Sequence, residues 1–401
     1  MATTETPAPP LTPEEVIVKK LVDLMSEPSP NVHQAICSLY DIHTKFTEDI
    51  LNSYLDHFQL PFIATECPEN MEPSRYFFIY LPIAMFLFNS QNMEALKNLM
   101  ENLICQLNRT KIPASFDRLS AKLYFYFSLS SPDPLSTLLS AYRRCCDMHF
   151  HQSQATVVNC ILKNYIDAGG YTLALSFLKH CNFPNDASPA QLGRYHFFVG
   201  HLKAITLDYA SAQHHLQLSL RRAPQNRHSE NFRGLVQRHL MVVMMLQGQI
   251  PSRATLLDAP LYLELARAIM AGDIIGFQNI QAHQEFAADG LGSLIPRLRS
   301  SVILAGLTLI SHCYSRISFS DIAEMLHIGS AEDAEGFCAK AASGGLIEGV
   351  IDHENGCLIS TKSQDDMGSG FGERIHKDIQ DCFGIREDTQ RIMHEEAINN
   401  E

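Results

Sequence analysis

Residues 314–360 read YSRISFSDIAEMLHIGSAEDAEGFCAKAASGGLIEGVIDHENGCLIS, and three structural signals follow one another along this segment. Ser318 and Ser330 each stand three residues before an aspartate, the spacing at which a serine side chain caps the start of a helix. Asn355–Gly356 then separates two short apolar runs, as in a hairpin whose tight turn needs positive φ angles. Two helices followed by a hairpin are the order of a winged helix, which the sequence therefore predicts here.

Apolar residues at helical spacing indicate which side chains form the core of this predicted winged helix. They are Ile322, Met325 and Leu326 on the first helix, and Ala334, Phe337, Cys338 and Ala341 on the second. The hairpin that follows should offer strand edges to which a neighbouring protein can pair through backbone hydrogen bonds. The residues assigned to these edges are Leu346, Ile347, Val350, Ile351, Leu358 and Ile359.

The charges of this segment argue against nucleic-acid binding, because binding to phosphates requires lysine and arginine side chains. Acidic residues predominate where a DNA-binding winged helix would contact its target. In the second helix and the hairpin tip, the charged and titratable residues are Glu332, Asp333, Glu335, Lys340, Asp352, His353 and Glu354. The segment therefore either binds other proteins or simply caps the helices that precede it.

Six short segments resemble the PCI module, which occurs in scaffold subunits of the proteasome lid, the signalosome and a translation initiation factor. They are Tyr314–Ser318, Asp321–Ala323, Glu332–Glu335, Ala339–Ala341, Leu346–Glu348 and Ile351–Glu354. The resemblance is greatest to lid subunits. It implies a non-catalytic lid scaffold of the cytoplasm and nucleus that supports ATP-dependent degradation of ubiquitinated proteins. The alternative is a scaffold subunit of the signalosome or of a translation-initiation complex that contacts RNA.

The composition indicates a soluble, intracellular protein. Hydrophobic residues make up 46% of the 401 residues, and the formal net charge of −13 argues against nucleic acid or anionic membrane as general partners. Eleven cysteines without a C-x-x-C pair favour reduced thiols over a disulfide framework. The longest apolar run, Tyr76–Phe88, contains Pro82 and is shorter than the roughly 20 residues that cross a bilayer. It predicts a buried helix pair or a kinked core helix.

The chain before the winged helix is predicted to be a solenoid of helical hairpins. Gly200, Ala212, Leu216 and Pro224 match places of a tetratricopeptide-like repeat, in which small residues allow two helices to cross closely. A later apolar stripe leads directly into the winged helix and predicts a core shared with it. The members of this stripe are Ile295, Leu298, Val302, Ala305 and Leu309.

These patterns together predict a mostly α protein: a TPR-like helical-hairpin solenoid, a winged-helix PCI module and a C-terminal helix. The predicted segments are a disordered N-terminus at 1–12, N-terminal helical repeats at 13–190, the TPR-like helical part of the PCI region at 191–312, the winged helix at 313–361, a flexible linker at 362–373 and the terminal helix at 374–401. The terminal helix has an apolar side with little in its own domain to cover it, so we expect it to join a bundle with other subunits. The residues concerned are Ile375, Ile379, Phe383 and Ile392.

No motif for catalysis, cofactor binding or metal binding is present in the sequence. There is no G-x-x-x-x-G-K-[ST] phosphate loop and no G-x-S-x-G nucleophile elbow. His149 and His151 have the spacing found in the zinc-dependent deubiquitinase of the same lid. Gln152 and Ile161, however, stand where that site needs a proline and a ligand aspartate. His214–His215 are neighbours on a helix and cannot chelate one ion together. We therefore predict that the chain is not an enzyme and needs no cofactor.

A basic cluster is the one charge feature that suggests binding. Its members are Arg221, Arg222, Arg227, Arg233 and Arg238. On general grounds they form an ordinary solvated helix face; the alternative is a basic trough that receives an acidic segment of a partner. The resemblance favours the trough, because lid subunits of this kind are held with a small, acidic, largely disordered protein. The implied partners are that protein and other PCI subunits, in a hetero-oligomer without nucleic acid or membrane.

Overall fold

The computed structural model describes residues 39, 48–58, 61, 73–110 and 113–360, together with nine helical positions between 376 and 389. The chain divides into two compact units, Met1–Gln249 and Ile250–Glu401. The predictions of disorder at 1–12 and of a linker at 362–373 lie outside the described residues.

The first unit is helical throughout its described part. Its α-helices are α1 (Glu48–Phe58), α2 (Pro73–Asn89), α3 (Met93–Arg109), α4 (Asp117–Ser130), α5 (Leu135–Asp147), α6 (His151–Asp167), α7 (Tyr171–His180), α8 (Pro189–Ile205), α9 (Tyr209–Arg222) and α10 (Glu230–Leu246), with 3-10 helices at Ala114–Phe116 and Arg227–Ser229. Each helix packs mainly against helices near it in sequence, as in a solenoid.

Helix α2 supplies aromatic side chains to the core of the first unit. Tyr76 and Tyr80 are fully buried, and their ring centroids lie 4.9 Å apart. The Tyr80 hydroxyl donates a hydrogen bond to the carbonyl of Pro61 at 2.9 Å. Since α2 continues through Pro82 as one helix, the prediction of a helix pair for this run is wrong, and the single core helix is the alternative that remains.

The hairpin of α8 and α9 shows why the repeat-like positions are small. A Cβ added to Gly200 would come within 2.9 Å of the Leu216 side chain and 3.2 Å of the Ala212 carbonyl oxygen. Ala212 and Leu216 are fully buried. The Ser219 hydroxyl also donates to the carbonyl of Gly193 at 2.7 Å, inside the same interface. The two helices therefore approach closely enough to require glycine on α8.

The second unit contains further helices and a small sheet. The elements are α11 (Arg253–Leu257), α12 (Pro260–Ala271), α13 (Ile274–Gln281), α14 (Glu285–Ala288), a 3-10 helix at Ile295–Leu298, α15 (Arg299–Cys313), β1 (Arg316–Ser318), α16 (Phe319–Met325), α17 (Ala331–Ser343), β2 (Gly349–Asp352) and β3 (Cys357–Ser360). The order from β1 to β3 is that of a winged helix.

Two glycines bring α12, α15 and the winged helix into one core. Gly272, at the end of α12, has a φ of +68°, and a Cβ there would lie 2.5 Å from the Cα of Gly306 on α15. A Cβ added to Gly306 would in turn lie 2.6 Å from the side chain of Leu326, which follows α16. These helices of the second unit and the winged helix therefore share a core, as the apolar stripe predicted.

The stripe itself runs along α15 differently from the prediction. Leu309 is 47% exposed and Ala305 is half-buried, so neither belongs to the buried centre. The buried face of α15 is instead formed by Val302, Ile303, Gly306, Leu307 and Ile310. The reason is the close approach at Gly306, which turns the face containing that glycine toward α12.

The sheet has the strand order β1–β3–β2, and both pairs are antiparallel. Leu358 pairs with Ile317 on one side and with Ile351 on the other, and it is fully buried. β3 is therefore the central strand. The prediction that Leu358 and Ile359 lie on an edge is wrong, because it did not anticipate β1, a strand of only three residues that covers that side.

Local details of the winged helix also differ from expectation. Ile322 and Leu326 are buried, but Met325 is 48% exposed, because it is the last residue of the short helix α16 and lies off the face shared by the other two.

In the hairpin turn only Gly356 has a positive φ, +60°, so the expectation for Asn355 is wrong. The turn is longer than two residues, and the Asp352 carboxylate holds it by accepting bonds from Asn355.

Candidate protein-interaction surfaces

The outer edge of β2 is the first candidate surface. Among the described residues, no strand pairs with this edge. Val350 on the strand is 57% exposed and Leu346 just before it is 53% exposed, whereas Ile347 is buried in the winged-helix core. An edge strand presents unpaired N–H and C=O groups, to which an extended segment of another protein can add. Of the six predicted edge residues, Val350 and Ile351 therefore lie on the open edge, and Leu346 is an exposed residue three positions before the strand.

The C-terminal helical positions present apolar side chains to solvent. Ile379 and Phe383, four residues apart and so on one helix face, are both exposed, and so is Ile385. The other two predicted bundle residues, Ile375 and Ile392, lie outside the described residues.

The five arginines of the basic cluster have unequal surroundings. Arg221 and Arg222 end α9, and Arg227 begins the following 3-10 helix; all three are exposed. Arg233 and Arg238 lie along α10 and are half-buried, and the Nη1 atom of Arg233 is buried without a hydrogen-bond partner in the described part of the chain. The exposed positive charge is therefore concentrated at the turn between α9 and α10.

Histidines gather beside this turn in a way that sequence reasoning missed. The Nδ1 atoms of His196 on α8 and His215 on α9 lie 3.3 Å apart, and the rings stack with centroids 5.5 Å apart. Burial, together with the neighbouring His215 and Arg222, lowers the pKa of His196 to about 4. Burial also lowers the pKa of His215. Both rings are therefore neutral at pH 7, and they add no charge to the adjacent arginines.

The winged-helix face that would meet DNA is acidic at its surface. Glu332 and Asp333 are exposed in the first turn of α17. The Glu335 carboxylate lies 2.7 Å from the Nδ1 atom of His353 at the hairpin tip, so the one titratable base at the tip already faces a carboxylate. These groups would repel a phosphate backbone.

Two absences apply to the part of the chain that the structure describes. No group of three histidine, cysteine, aspartate or glutamate side chains there is arranged to hold a metal ion. Within the same residues, no helix is both long enough and apolar enough to span a membrane. His149 lies two residues before α6 and His151 is the first residue of that helix, and both are exposed.

Sequence reasoning also missed a cavity in the first unit, between α4, α6 and the start of α8. Its lining residues are distributed between Arg118 and Arg194 and form no local motif. Arg118 and Lys122, four residues apart and so on one face of α4, are the part of this lining that a sequence pattern could indicate.

Helical hairpins followed by a three-stranded winged helix define a PCI-type subunit, and the comparisons with known proteins agree. The family model described as PSMD3-like, N-terminal TPR repeats, matches residues 14–266, and the PCI domain model matches residues 278–362. A probable 26S proteasome regulatory subunit rpn3 from Schizosaccharomyces pombe is 32% identical over 79% of this chain and 66% of its own length. A 26S proteasome non-ATPase regulatory subunit 3 from Dictyostelium discoideum is 34% identical over 81% of this chain and 67% of its own length.

The chain belongs to the family of 26S proteasome non-ATPase regulatory subunit 3. Homolog A of this subunit from Arabidopsis thaliana is 28% identical over 92% of this chain and 82% of its own length. The chain spans about two thirds of the length of the first two relatives. Because these relatives are named as proteasome regulatory subunits, the signalosome and translation-initiation alternative is not favoured.

Proposed function

We propose that this chain is a non-catalytic scaffold subunit of the 26S proteasome regulatory particle lid. It supports the degradation of ubiquitinated proteins by holding neighbouring subunits in position. The structural observation that supports the proposal is the open edge of β2 with the exposed Val350. The complex is inferred from the relatives, which are named as 26S proteasome regulatory subunits. The proposal includes a hetero-oligomer with other PCI subunits, in the cytoplasm and nucleus, without cofactor or nucleic acid.

The physical basis of assembly is strand addition. A neighbouring winged helix contributes an extended segment whose backbone groups bond to β2, while the side chains of Leu346 and Val350 become covered. Each apolar side chain covered in this way contributes roughly 1.5–3 kcal/mol at full burial. A charged side chain on an edge strand opposes this pairing, which is how natural edge strands avoid aggregation.

The test replaces Val350 by lysine. We expect Val350→Lys to fold, because position 350 is exposed, and to recover at least tenfold less of the neighbouring PCI subunits when a tagged chain is purified from cells. Val350→Thr is the matched control, because threonine keeps the β-branched shape without charge and should recover nearly the wild-type amount. Equal recovery with Val350→Lys and wild type would remove strand addition at β2 from the proposal.

We further propose that Arg221, Arg222 and Arg227 bind the small acidic lid protein. Their exposure and their concentration at one turn of an acidic chain support electrostatic attraction of an acidic, extended segment. The other two arginines of the cluster, Arg233 and Arg238, lie along α10 and are half-buried. Such attraction acts mainly on the association rate and weakens as salt is added.

Reversing two of these charges tests the assignment. The double variant Arg221→Glu with Arg222→Glu should lose about tenfold or more in affinity for the acidic protein at 150 mM salt. The control is Arg253→Glu with Arg267→Glu, which makes the same charge change at two exposed arginines of the second unit. If the cluster variant binds the acidic protein as tightly as the control variant and the wild type do, the basic cluster is an ordinary solvated face.

A further inference from the structure

The cavity between α4, α6 and the start of α8 has a volume of about 600 Å³ and is lined mostly by apolar atoms. Volumes of roughly 300–1,000 Å³ are typical of sites for small molecules. The apolar wall includes Ala121, Phe125 and Pro189. All of its lining residues belong to the first unit, far in sequence from the winged helix.

Three cationic side chains line this cavity. Arg118 and Lys122 are four residues apart on α4 and therefore on the same face, and Arg194 comes from α8. The guanidinium carbon of Arg194 lies 5.7 Å from the ring centroid of Phe125. Asp186 is the one carboxylate in the lining, and in the described part of the chain no carboxylate forms an ion pair with Arg118 or Arg194. The cavity thus carries excess positive charge in a chain whose net charge is −13.

Two of the uncharged polar side chains in the lining, Gln152 and Thr156, already form hydrogen bonds with other groups of the protein. The Gln152 amide donates to the carbonyl of Asp186 at 2.9 Å, and its oxygen accepts from the backbone N–H of Ser188 at 3.1 Å. The hydroxyl of Thr156 donates to the carbonyl of Gln152 at 2.9 Å. An extended peptide needs neutral donors and acceptors for its own backbone, so these contacts disfavour a peptide as the occupant.

The start of α8 adds to the positive potential. Ser188, Pro189 and Ala190 all line the cavity, and the side chain of Ser188, at the N-cap position, makes no capping hydrogen bond. The amino end of a helix carries a partial positive charge that favours a nearby anion.

We propose that this cavity binds a small organic phosphate whose apolar body lies against Phe125. The phosphoryl group accepts hydrogen bonds from Arg118 and Arg194, for which a guanidinium is geometrically suited. This inference is independent of the proposed scaffold function, since none of the surfaces assigned to assembly includes these residues.

The test uses the full chain and three probes in equilibrium dialysis at pH 7.5. 1-Naphthyl phosphate carries both the charge and the apolar body, 1-naphthol carries only the body, and inorganic phosphate only the charge. We expect saturable binding of 1-naphthyl phosphate and at least tenfold weaker binding of each of the other two. Arg118→Ala should weaken the first probe about tenfold, because one charge-assisted hydrogen bond is lost.

Controls keep this test decisive. Arg118 is exposed, so its replacement should leave the thermal unfolding midpoint unchanged, and Arg253→Ala in the second unit is the matched charge control. Arg194→Ala is a second variant that should also weaken binding of 1-naphthyl phosphate. If it fails to fold after losing its contact with Phe125, Arg118→Ala alone is sufficient for the test. The proposal is overturned if 1-naphthyl phosphate does not bind, if Arg118→Ala binds it as wild type does, or if 1-naphthol binds equally well.

Discussion

At the scale of the residue, a buried histidine determines part of the response of the first unit to pH. His201 on α8 is 4% exposed, and its ring packs against Phe197 and His239, with centroids 6.3 and 5.2 Å away. Its Nδ1 atom has no hydrogen-bond partner among the described residues. Burial lowers the pKa of His201 to about 4, because a charged imidazolium would have to be desolvated there.

We predict that His201→Leu makes the free energy of unfolding less dependent on pH. An unfolded histidine has a pKa near 6.5, whereas folded His201 stays neutral down to about pH 4, so between these values the unfolded state binds the extra proton. The contribution of His201 to wild-type stability is therefore fully present above about pH 6.5 and is lost as the pH drops toward 4, by at most about 1.4 kcal/mol per pH unit. Leucine removes that loss.

Urea unfolding at several pH values between 4.5 and 7 measures this effect. His180→Leu is the control in the same unit, because His180 is exposed, and it should keep the wild-type slope. Identical slopes for His201→Leu and wild type would show that the buried ring does not contribute.

At the scale of the element, the contact between α12 and α15 depends on the absence of side chains. Gly272 combines a positive φ with a Cβ position 2.5 Å from the Gly306 backbone. Only glycine satisfies both conditions, since an L-residue in the left-handed region costs roughly 1–2 kcal/mol and overpacking costs about 1–3 kcal/mol more.

We predict that Gly272→Ala lowers the free energy of unfolding of the second unit by about 2–5 kcal/mol, the sum of both costs. Gly290→Ala measures the cost of the positive φ without that of overpacking, because Gly290 has a φ of +78° and no atom within 4 Å of its added Cβ. That control should lose only about 1–2 kcal/mol. Denaturant unfolding of both variants measures the difference, and equal losses would mean that the helix crossing is looser than described.

Signals confined to a few neighbouring residues were sufficient to predict several elements. The side chains of Ser318 and Ser330 accept bonds from the N–H groups of Asp321 and Asp333, at 3.2 and 3.1 Å, as the capping pattern predicted. Capping can be read from sequence because donor and acceptor are three residues apart. The small residues of the α8–α9 hairpin were predictable for a similar reason, since a repeat fixes their spacing.

Features that depend on distant pairing could not be predicted. β1 has three residues, too few for an alternating pattern, and its partner β3 lies beyond both helices of the winged helix. Without the β1–β3 pair, the sequence places Leu358 on an edge strand, whereas it lies on the central strand β3. The contact of His196 with His215 and the cationic cavity likewise join residues from different helices, which only the packing of α4, α6, α8 and α9 brings together.

At the scale of the whole molecule, both units bury apolar side chains, and the described residues leave several surfaces uncovered. The β2 edge carries Val350, the C-terminal helical positions carry Ile379 and Phe383, and the turn after α9 carries exposed arginines. Scattered apolar residues are ordinary on a monomer, but an open apolar strand edge together with an exposed apolar helix face fits a protein that functions in an assembly.

Affinity purification tests the scaffold proposal most directly. A tagged full-length chain is compared with a chain ending at Thr361, which lacks the C-terminal helical positions, and the recovered proteins are identified by mass spectrometry. We predict that the full chain recovers lid and ATPase subunits of the proteasome and that the truncated chain recovers markedly less of them. A full-length chain that purifies alone, or with translation factors and RNA, would contradict the assignment as a lid scaffold.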